Sequence, residues 1–392
     1  MVCIRRCGGK GSKESSVFAK RNSRIIFCFI FTFLAAIFYA CVQATLGGIP
    51  AHVYGEVLSR DAQSVKGAVV EKIALYPRKT VHSRERIMRK AILISPENAK
   101  GTVIISHGFM CTKEDVLFLG SALFPDYRRL VPDMRAHGEN TEGQFCTLGR
   151  DEALDVAAAA QYVRNRPDLA DEPLLIYGFS MGAVAAIEAQ AKNPKLCDGL
   201  ILDCPFEDSQ SVINAGLDNM KFSFLGYQFS VPGRSLMKKY MFHPYVQSFV
   251  KTMLKAFAKM DTKNINAFVY PVHPAESIKK VSAPLLLIHC KNDEKIPVDS
   301  VKKIYNNAAS KYKKLWVTNG RRHYDSFFYN PELYARRVAK FTSRLMEGRL
   351  TQAKKQKIIE DADPSALAVH VNVDRFTKIE ERRKKRRLQR RK

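Results

Sequence analysis

The chain has 392 residues, of which 46% are apolar, and it carries a formal net charge of +26. That apolar fraction is ordinary for a globular protein and is enough for a full core, and alpha/beta domains often exceed about 250 residues. We therefore expect one large domain with terminal appendages. Part of the positive charge lies in the two terminal segments, which argues against a nucleic-acid groove in the core.

The first 44 residues have the pattern of a membrane-insertion segment. Residues 1–24 are polar and basic, and residues 25–42 contain no charged residue. This order predicts a membrane segment whose N-terminus stays in the cytoplasm. The long basic lead favours a retained single-pass signal anchor over residues 25–44. Cleavage after Ala44 would instead make the segment a signal peptide of an exported protein, and lipid attachment at Cys41 is only weakly matched.

The cysteines indicate thiols and not a cross-linked framework. Five of the nine lie in the body of the chain: Cys111, Cys146, Cys197, Cys204 and Cys290. Their odd number and the absence of a Cys-x-x-Cys pair do not resemble a disulfide framework or a zinc site, so we interpret them as buried free thiols. Free thiols fit a reducing compartment better than an oxidising one, which conflicts with the topology predicted from the N-terminal segment.

Apolar runs alternate with helix-like segments along the body of the chain. This alternation predicts an alpha/beta fold with a mostly parallel central sheet and helices on both faces. The predicted strands are residues 68–75, 87–94, 102–106, 129–132, 174–177, 199–203, 283–289 and 314–317. The predicted helices are residues 151–164, 183–191 and 298–309.

The strand at residues 102–106 runs into His107, Gly108 and Phe109. In a serine hydrolase the loop after this strand supplies one backbone N–H group to the oxyanion hole, and glycine lets the backbone turn toward the substrate. The second N–H group would come from the residue after the nucleophile. We therefore expect the backbone of Phe109 and of Met181 to form an oxyanion hole.

Residues 174–191 form the segment around which the chain is organised. An apolar run leads into Gly-Phe-Ser-Met-Gly at residues 178–182, and an alanine-rich stretch follows. This is the strand, tight turn and helix of a nucleophile elbow, in which the side chain between the two glycines is pushed out of the sheet. Ser180 is therefore the candidate nucleophile, although an ordinary strand-to-helix turn has the same pattern.

The alternation of strands and helices stops between about residues 209 and 272. This part is rich in phenylalanine, tyrosine and methionine with lysines between them, and residues 245–260 have the pattern of an amphipathic helix. We expect a helical lid inserted into the domain. Its apolar residues would either pack into a small core of their own or bind an acyl chain, and both are compatible.

Two late loops complete a candidate catalytic triad. Asp293 follows the strand at residues 283–289, and His323 follows the strand at residues 314–317. The order Ser, Asp, His is the one that a nucleophile-elbow hydrolase requires, with the histidine as base and the aspartate as its orienting partner. Glu294 and Asp203 are the fallback acids.

His137 is a second histidine that follows a predicted strand, in the loop after residues 129–132. We interpret it as a structural loop histidine, since His323 already occupies the position of the base.

The chain ends in a basic tail that begins near residue 348. Residues 351–363 have a helical pattern, and residues 382–387 are an unbroken run of arginine and lysine. A solvated, disordered end is the simplest interpretation. Attraction to anionic lipid headgroups, to nucleic acid or to an acidic partner is the functional alternative, and no specific nucleic acid is expected.

Taken together, the motifs resemble those of alpha/beta-hydrolases, in particular the lid-bearing serine hydrolases that include monoacylglycerol lipases, lysophospholipases, acyl esterases and thioesterases. The resemblance covers about residues 75–345 and rests on residues 103–109, 133–138, 178–182 and 203–206 together with Asp293 and His323. At residues 136–138 the chain has Ala-His-Gly where that family has Gly-His-Gly. The common pattern includes neither terminal segment, so residues 50–347 are the expected hydrolase domain.

The resemblance and the triad imply a serine hydrolase that cleaves a carboxylic ester or thioester with a lipid-like acyl group. The fold hosts many chemistries, so the motifs do not specify a substrate. A peptidase or amidase acting on small peptides shares the fold and triad, and a non-catalytic membrane-tethered binding protein is the alternative outside enzymes. We expect no metal and no cofactor.

Overall fold

The apolar runs predicted as strands form one eight-stranded sheet in the part of the chain that the structure describes. The structure is a computed structural model and describes residues 67–123, 126–139, 141, 143–219, 221–224, 227–230, 234–247, 267–320, 322–323 and 325–360. The strands are β1 (Val69–Leu75), β2 (Arg89–Ser95), β3 (Thr102–Ser106), β4 (Arg128–Pro132), β5 (Leu174–Phe179), β6 (Gly199–Asp203), β9 (Leu285–Cys290) and β10 (Lys313–Thr318); β7 (Lys221–Phe224) and β8 (Tyr227–Ser230) form a separate hairpin.

The sheet has the order β1-β2-β4-β3-β5-β6-β9-β10. The pairs β1–β2 and β2–β4 are antiparallel, and the other neighbours are parallel. Every residue of β3, β5, β6 and β9 is buried, as expected where helices cover both faces of a parallel sheet. The predicted fold class is confirmed.

Helices connect the strands and extend beyond the last one. They are α1 (Glu152–Asn165), α2 (Met181–Lys192), α3 (Ser209–Asn219), α4 (Arg234–Tyr240), α5 (Pro274–Ser277), α6 (Val298–Asn307), α7 (Asp325–Tyr329) and α8 (Pro331–Glu360), with 3-10 helices at Glu114–Ala122 and Ile278–Lys280. A first compact unit ends at Phe341 and a second begins at Thr342. Because α8 runs from Pro331 to Glu360, the start of the tail predicted near residue 348 falls inside this helix. Residues 361–392 of the predicted tail lie outside the described residues.

The insertion between β6 and β9 is not purely helical, which corrects the prediction for residues 209–272. After α3 the chain forms the β7–β8 hairpin, in which Phe222 pairs with Phe229 and Phe224 pairs with Tyr227 along the backbone register. Aromatic and polar residues alternate with a period of two in Lys221–Phe224, which is the pattern of a strand. Most of the helix predicted at residues 245–260 lies outside the described residues.

The predicted membrane segment at residues 25–44 also lies outside the described residues. Within the described part of the chain, no helix is both long enough and apolar enough to cross a membrane.

The parallel register brings four strand ends to one edge of the sheet. Phe179 at the end of β5 is opposite Asp203 at the end of β6. At the neighbouring pair, Cys290 at the end of β9 is opposite Thr318 at the end of β10. The loops that follow these ends carry the candidate nucleophile, acid and base, so the topology assembles the site.

Candidate active site

Ser180 lies at a sharp turn between β5 and α2. Its backbone has φ 51° and ψ −114°, a conformation that a non-glycine residue seldom adopts. The flanking glycines permit the close approach of strand and helix: a Cβ on Gly178 would lie 2.4 Å from the Cα of Ala183, and one on Gly182 would lie 2.2 Å from the carbonyl oxygen of Ser106. The turn is therefore the nucleophile elbow that the sequence predicts.

The structure brings the three predicted triad residues into one hydrogen-bonded chain. The Oγ of Ser180 lies 2.7 Å from Nε2 of His323, and Nδ1 of His323 lies 2.7 Å from Oδ2 of Asp293. Because the carboxylate only accepts, Nδ1 carries the proton and Nε2 accepts from the serine hydroxyl. This is the arrangement in which a histidine can take the proton of a serine nucleophile.

Asp293 is held as a carboxylate. Its Oδ1 accepts hydrogen bonds from the backbone N–H groups of Lys295, at 2.8 Å, and Ile296, at 2.9 Å. Burial by itself would raise the pKa of Asp293, but its hydrogen bonds and the charge of His323 outweigh burial and bring the pKa below its ordinary value. The side chain that must stabilise a charged imidazole is thus ionised at neutral pH.

Neither fallback acid reaches the imidazole. Asp203 is buried, and its Oδ2 accepts a 2.6 Å hydrogen bond from the hydroxyl of Tyr334, which also contacts the hydroxyl of Tyr177. Burial raises the pKa of Asp203 well above its ordinary value. Glu294 is exposed at the surface. Asp293 is the carboxylate that pairs with the histidine.

The two predicted oxyanion-hole residues flank Ser180. Met181 is the first residue of α2, and the N–H group of a first helical residue has no partner within its helix. Phe109 lies in the loop after β3, next to Gly108, where an added Cβ would lie 3.3 Å from the Cβ of Ser180. The loop that carries Phe109 is thus packed directly against the nucleophile.

Sequence reasoning missed two side chains that border the triad. His289, in β9, is buried with Nε2 3.8 Å from Oδ2 of Asp293, and it donates to the carbonyl oxygen of Ile296 at 3.0 Å. Burial lowers its pKa, which keeps the ring neutral. Cys204 directly follows β6. Because the ends of neighbouring parallel strands share one edge of the sheet, the position of Cys204 directly after an apolar run could have predicted that it lies near the triad.

Cys204, Asp293 and His323 are also the described residues whose donor atoms could hold a metal ion. One donor atom from each lies within 4.8 Å of the others. Thiolate, imidazole and carboxylate are zinc ligands. However, the imidazole and the carboxylate are already joined by a 2.7 Å hydrogen bond, which a metal would have to replace. The contact between Asp293 and His323 therefore accounts for this cluster as part of the triad.

All five cysteines in the described part of the chain are free thiols, and all except the half-buried Cys111 are buried. This agrees with the interpretation of them as buried thiols.

A cavity of about 370 Å³ lies apart from the triad. Its lining is Lys79, Thr80, Ile87, Arg135, Gly143, Gln144, Phe145, Thr147, Asp151, Phe268 and Tyr270. Ser180, Asp293 and His323 are not among its lining residues. Cys146, between two lining residues, places its Sγ 3.4 Å from Sδ of Met181.

The fold and this site define an alpha/beta hydrolase. The chain belongs to the family described as serine aminopeptidase, S33, which it matches over residues 97–325.

Similar proteins agree with this assignment. The chain is 26% identical over 259 residues to the uncharacterized protein YqkD of Bacillus subtilis, covering 65% of this chain and 75% of YqkD. It is 24% identical over 187 residues to human protein ABHD12B, covering 47% of this chain and 42% of that protein. The structure of the Pyrococcus furiosus esterase Pf2001 matches with a TM-score of 0.52 and 21% identity, covering 72% of this chain and 95% of the esterase. At that identity the structural match supports the fold alone.

Proposed function

We propose that the protein is a serine hydrolase that cleaves a carboxylic ester or thioester with a lipid-like acyl group through an acyl-Ser180 intermediate. The observation that carries the proposal is the hydrogen-bonded chain from Ser180 through His323 to Asp293, with the serine at a strained elbow. Strained backbone and a complete acid–base chain occur together where a serine must act as a nucleophile. A protein that only binds has no need of all three side chains.

The reaction proceeds in two halves. The Oγ of Ser180 forms a bond to the carbonyl carbon while Nε2 of His323 takes the hydroxyl proton, and Asp293 stabilises the imidazolium. The bond to the alcohol or thiol leaving group then breaks, and the imidazolium returns its proton to that group. In the second half, His323 takes a proton from a water molecule whose oxygen forms a bond to the acyl carbon. The bond between that carbon and the Oγ of Ser180 then breaks, the imidazolium returns the proton to Oγ, and the carboxylic acid is released.

The backbone N–H groups of Phe109 and Met181 would stabilise the oxyanion of both tetrahedral intermediates. Such a donor is worth about 10²- to 10³-fold in kcat, because it is preorganised for the charge that develops. Both groups belong to segments whose backbone is constrained beside Ser180, one at the start of a helix and the other in a glycine-containing loop.

The apolar side chains beside the nucleophile support an acyl substrate. Phe109 and Met110 are each 39% exposed although they follow a buried strand. Exposed aromatic side chains around a polar reaction centre are typical of a site that buries an apolar substrate group.

An aminopeptidase is the second candidate, because the family description names that activity. Such an enzyme must hold the α-ammonium group of its substrate with a carboxylate or carbonyl group. In the described part of the insertion the carboxylates are already engaged: Glu207 pairs with Lys303, Asp208 accepts from the backbone N–H and hydroxyl of Ser211, and Asp218 pairs with Lys238. This favours the ester over the peptide.

A series of p-nitrophenyl esters from acetate to palmitate, hydrolysed by the full chain in detergent, tests the proposal. We expect activity that peaks at one acyl length and falls by at least about 10⁴-fold in Ser180→Ala. The half-buried Ser83→Ala variant, in the loop between β1 and β2, is the matched control. Equal rates for the wild type and Ser180→Ala would refute the serine mechanism, and preference for aminoacyl amides over all esters would establish the peptidase instead.

Labelling with a fluorophosphonate separates an enzyme from a binding protein of the same fold. We expect Ser180 to be labelled in the wild type and labelling to be lost in Ser180→Ala. Folded wild-type protein that does not label would support the binding role.

We also propose that residues 25–44 anchor the protein in a membrane, with the N-terminus in the cytoplasm, and that the basic tail adds attraction to anionic headgroups. An uncharged apolar segment behind a basic flank supports the anchor. Alkaline carbonate extraction tests it: the full chain should stay with the membrane and a chain lacking residues 1–44 should not. Release of the full chain, or its recovery without the first 44 residues, would contradict the anchor.

A further inference from the structure

Phe109 lies in a tight turn that runs from Gly108 to Cys111. The N–H group of Cys111 donates to the carbonyl oxygen of Gly108 at 3.3 Å, which closes a four-residue turn, and Met110 at its third position has φ 62°. A positive φ at that position defines a turn that favours glycine or asparagine. Methionine is therefore strained there, and the strain needs a compensating contact.

His137 supplies that contact. Its Nδ1 lies 2.8 Å from the carbonyl oxygen of Arg135 and must donate to it, which leaves Nε2 of the neutral ring as an acceptor. The N–H group of Met110 donates to this Nε2 at 3.0 Å. The ring also packs edge-on against the ring of Phe109, with 5.7 Å between the ring centroids.

The backbone of His137 is also held, and its side chain is buried. Arg89 donates to the carbonyl oxygen of His137 at 2.6 Å, and the side chain is 2% exposed. From the same loop, Asp133 accepts from the backbone N–H group of Lys113 at 2.9 Å. The loop after β4 thus binds the backbone of the segment after β3 at two points, on either side of the turn's closing residue.

From this geometry we propose that His137 is a positioning residue for the oxyanion hole: it accepts from Met110 and so fixes the orientation of the Phe109 backbone toward Ser180. The inference rests on the proposed function, since it assigns Phe109 as an oxyanion donor. His137 does not touch the substrate, and it lies outside the triad. Its loss should weaken binding of the transition state more than binding of the substrate.

Two substitutions separate the acceptor from the rest of the side chain. In H137N the side-chain amide can take the place of Nδ1, but it is too short to accept from the N–H group of Met110. In H137Q the longer side chain can bring its amide oxygen to the position of Nε2. We expect H137N to lower kcat for the best ester by about 10- to 100-fold with little change in KM, because a preorganised donor loses its support. H137Q should recover a large part of kcat. The exposed His82→Asn variant is the matched control.

A trifluoromethyl ketone with the preferred acyl chain reports the oxyanion hole directly, because it forms a tetrahedral adduct with the serine. Its affinity should fall in H137N in proportion to kcat, while the affinity of the product acid stays within about threefold of the wild type. Denaturant unfolding of each variant shows whether a loss of activity follows stability. A loss confined to global stability, with kcat and adduct affinity unchanged in folded protein, would overturn the proposal.

The outcomes distinguish this inference from the proposed function. If the wild type hydrolyses esters and folded H137N is as active as the wild type, the positioning role is wrong and the hydrolase function stands. If the wild type neither hydrolyses nor labels, both fall. Should H137N fail to fold, H137Q decides alone: folded H137Q must keep kcat within about tenfold of the wild type, and a greater loss would overturn the role of the acceptor.

Discussion

Two buried carboxylates at the ends of neighbouring strands have opposite electrostatic environments. Asp293, in the loop after β9, accepts from two backbone N–H groups and from His323. Asp203, the last residue of β6, accepts from Tyr334 through Oδ2, and its Oδ1 has no hydrogen-bond partner in the part of the chain that the structure describes. The pKa of Asp293 is lowered and that of Asp203 is raised.

The comparison shows that burial alone does not make a carboxylate a catalytic partner. Both side chains lose contact with water, which disfavours the charged form. Asp293 has donors that favour its ionised form beside His323, where that charge can stabilise an imidazolium. Asp203 joins β6 to Tyr334 at the start of α8, and its burial disfavours the charged form.

Substituting each carboxylate by its amide should give the largest difference between them. We expect D293N to lower kcat by about 10⁴-fold, because the amide cannot hold His323 in the correct tautomer. We expect D203N to change kcat by less than about tenfold, because an amide resembles the uncharged form that burial favours at this position. Steady-state kinetics with the best p-nitrophenyl ester measures both.

Circular dichroism of both variants must show folded protein for the comparison to hold. Equal losses in D293N and D203N would contradict the assignment, and a larger loss in D203N would make Asp203 the acid.

The pH dependence of stability should differ in sign between the two carboxylates. The pKa of Asp293 is lower in the folded protein than in the unfolded chain, so its contribution to the free energy of unfolding is present above the unfolded value and is lost as the pH falls through the folded value. The pKa of Asp203 is raised by folding, so its contribution is present below the unfolded value and is lost as the pH rises toward the folded value. Each unit of pKa difference corresponds to about 1.4 kcal/mol.

Relative to the wild type, D203N should therefore gain stability as the pH rises from about 4 to 7. D293N should be less stable than the wild type by a constant amount over that range, and its deficit should shrink only as the pH falls below about 4. Urea unfolding at several pH values, followed by circular dichroism, measures the two differences. Parallel profiles for the two variants would show that the carboxylates are in the same charge state.

Removing the hydroxyl of Tyr334 should have the smallest effect. Tyr334→Phe deletes the donor to Asp203 and should lower the free energy of unfolding by about 1 to 3 kcal/mol, since a buried acceptor loses its partner. Activity should stay close to that of the wild type, because the hydroxyl does not reach the triad.

The exposed Tyr329→Phe variant is the control and should change stability by less than about 0.5 kcal/mol. A large loss of kcat in folded Tyr334→Phe would mean that Asp203 and the triad are coupled, and the contrast between the two carboxylates would then fail.

Much of the fold could be predicted from the sequence because the strands are buried apolar runs with clear ends. The predicted strands at residues 102–106 and 199–203 coincide with β3 and β6, and the others differ by one or two residues at their ends. Contacts between strands, and not local propensity, decide such end positions.

The errors occur where the pattern is weak or depends on distant partners. The richness of residues 209–272 in aromatic side chains predicts a helical insertion, whereas their alternation in Lys221–Phe224 is that of the β7–β8 hairpin. The helix α8 continues to Glu360, past the predicted start of the tail near residue 348, because a rise in charge does not by itself end a helix.

By itself, the sequence determined the sheet, the elbow and the chain order of Ser180, Asp293 and His323, because these follow from local hydrophobic pattern, glycines and position after each strand. The sequence favours Asp293 over Asp203 as the acid of the triad because Asp293 lies in the loop after a late strand. The tertiary structure decided the direction in which the pKa of each carboxyl group shifts, since burial acts on both and hydrogen bonds from the backbone and His323 reach only Asp293. It also brought the ring of His137 to the N–H group of Met110, which lies 27 residues away along the chain.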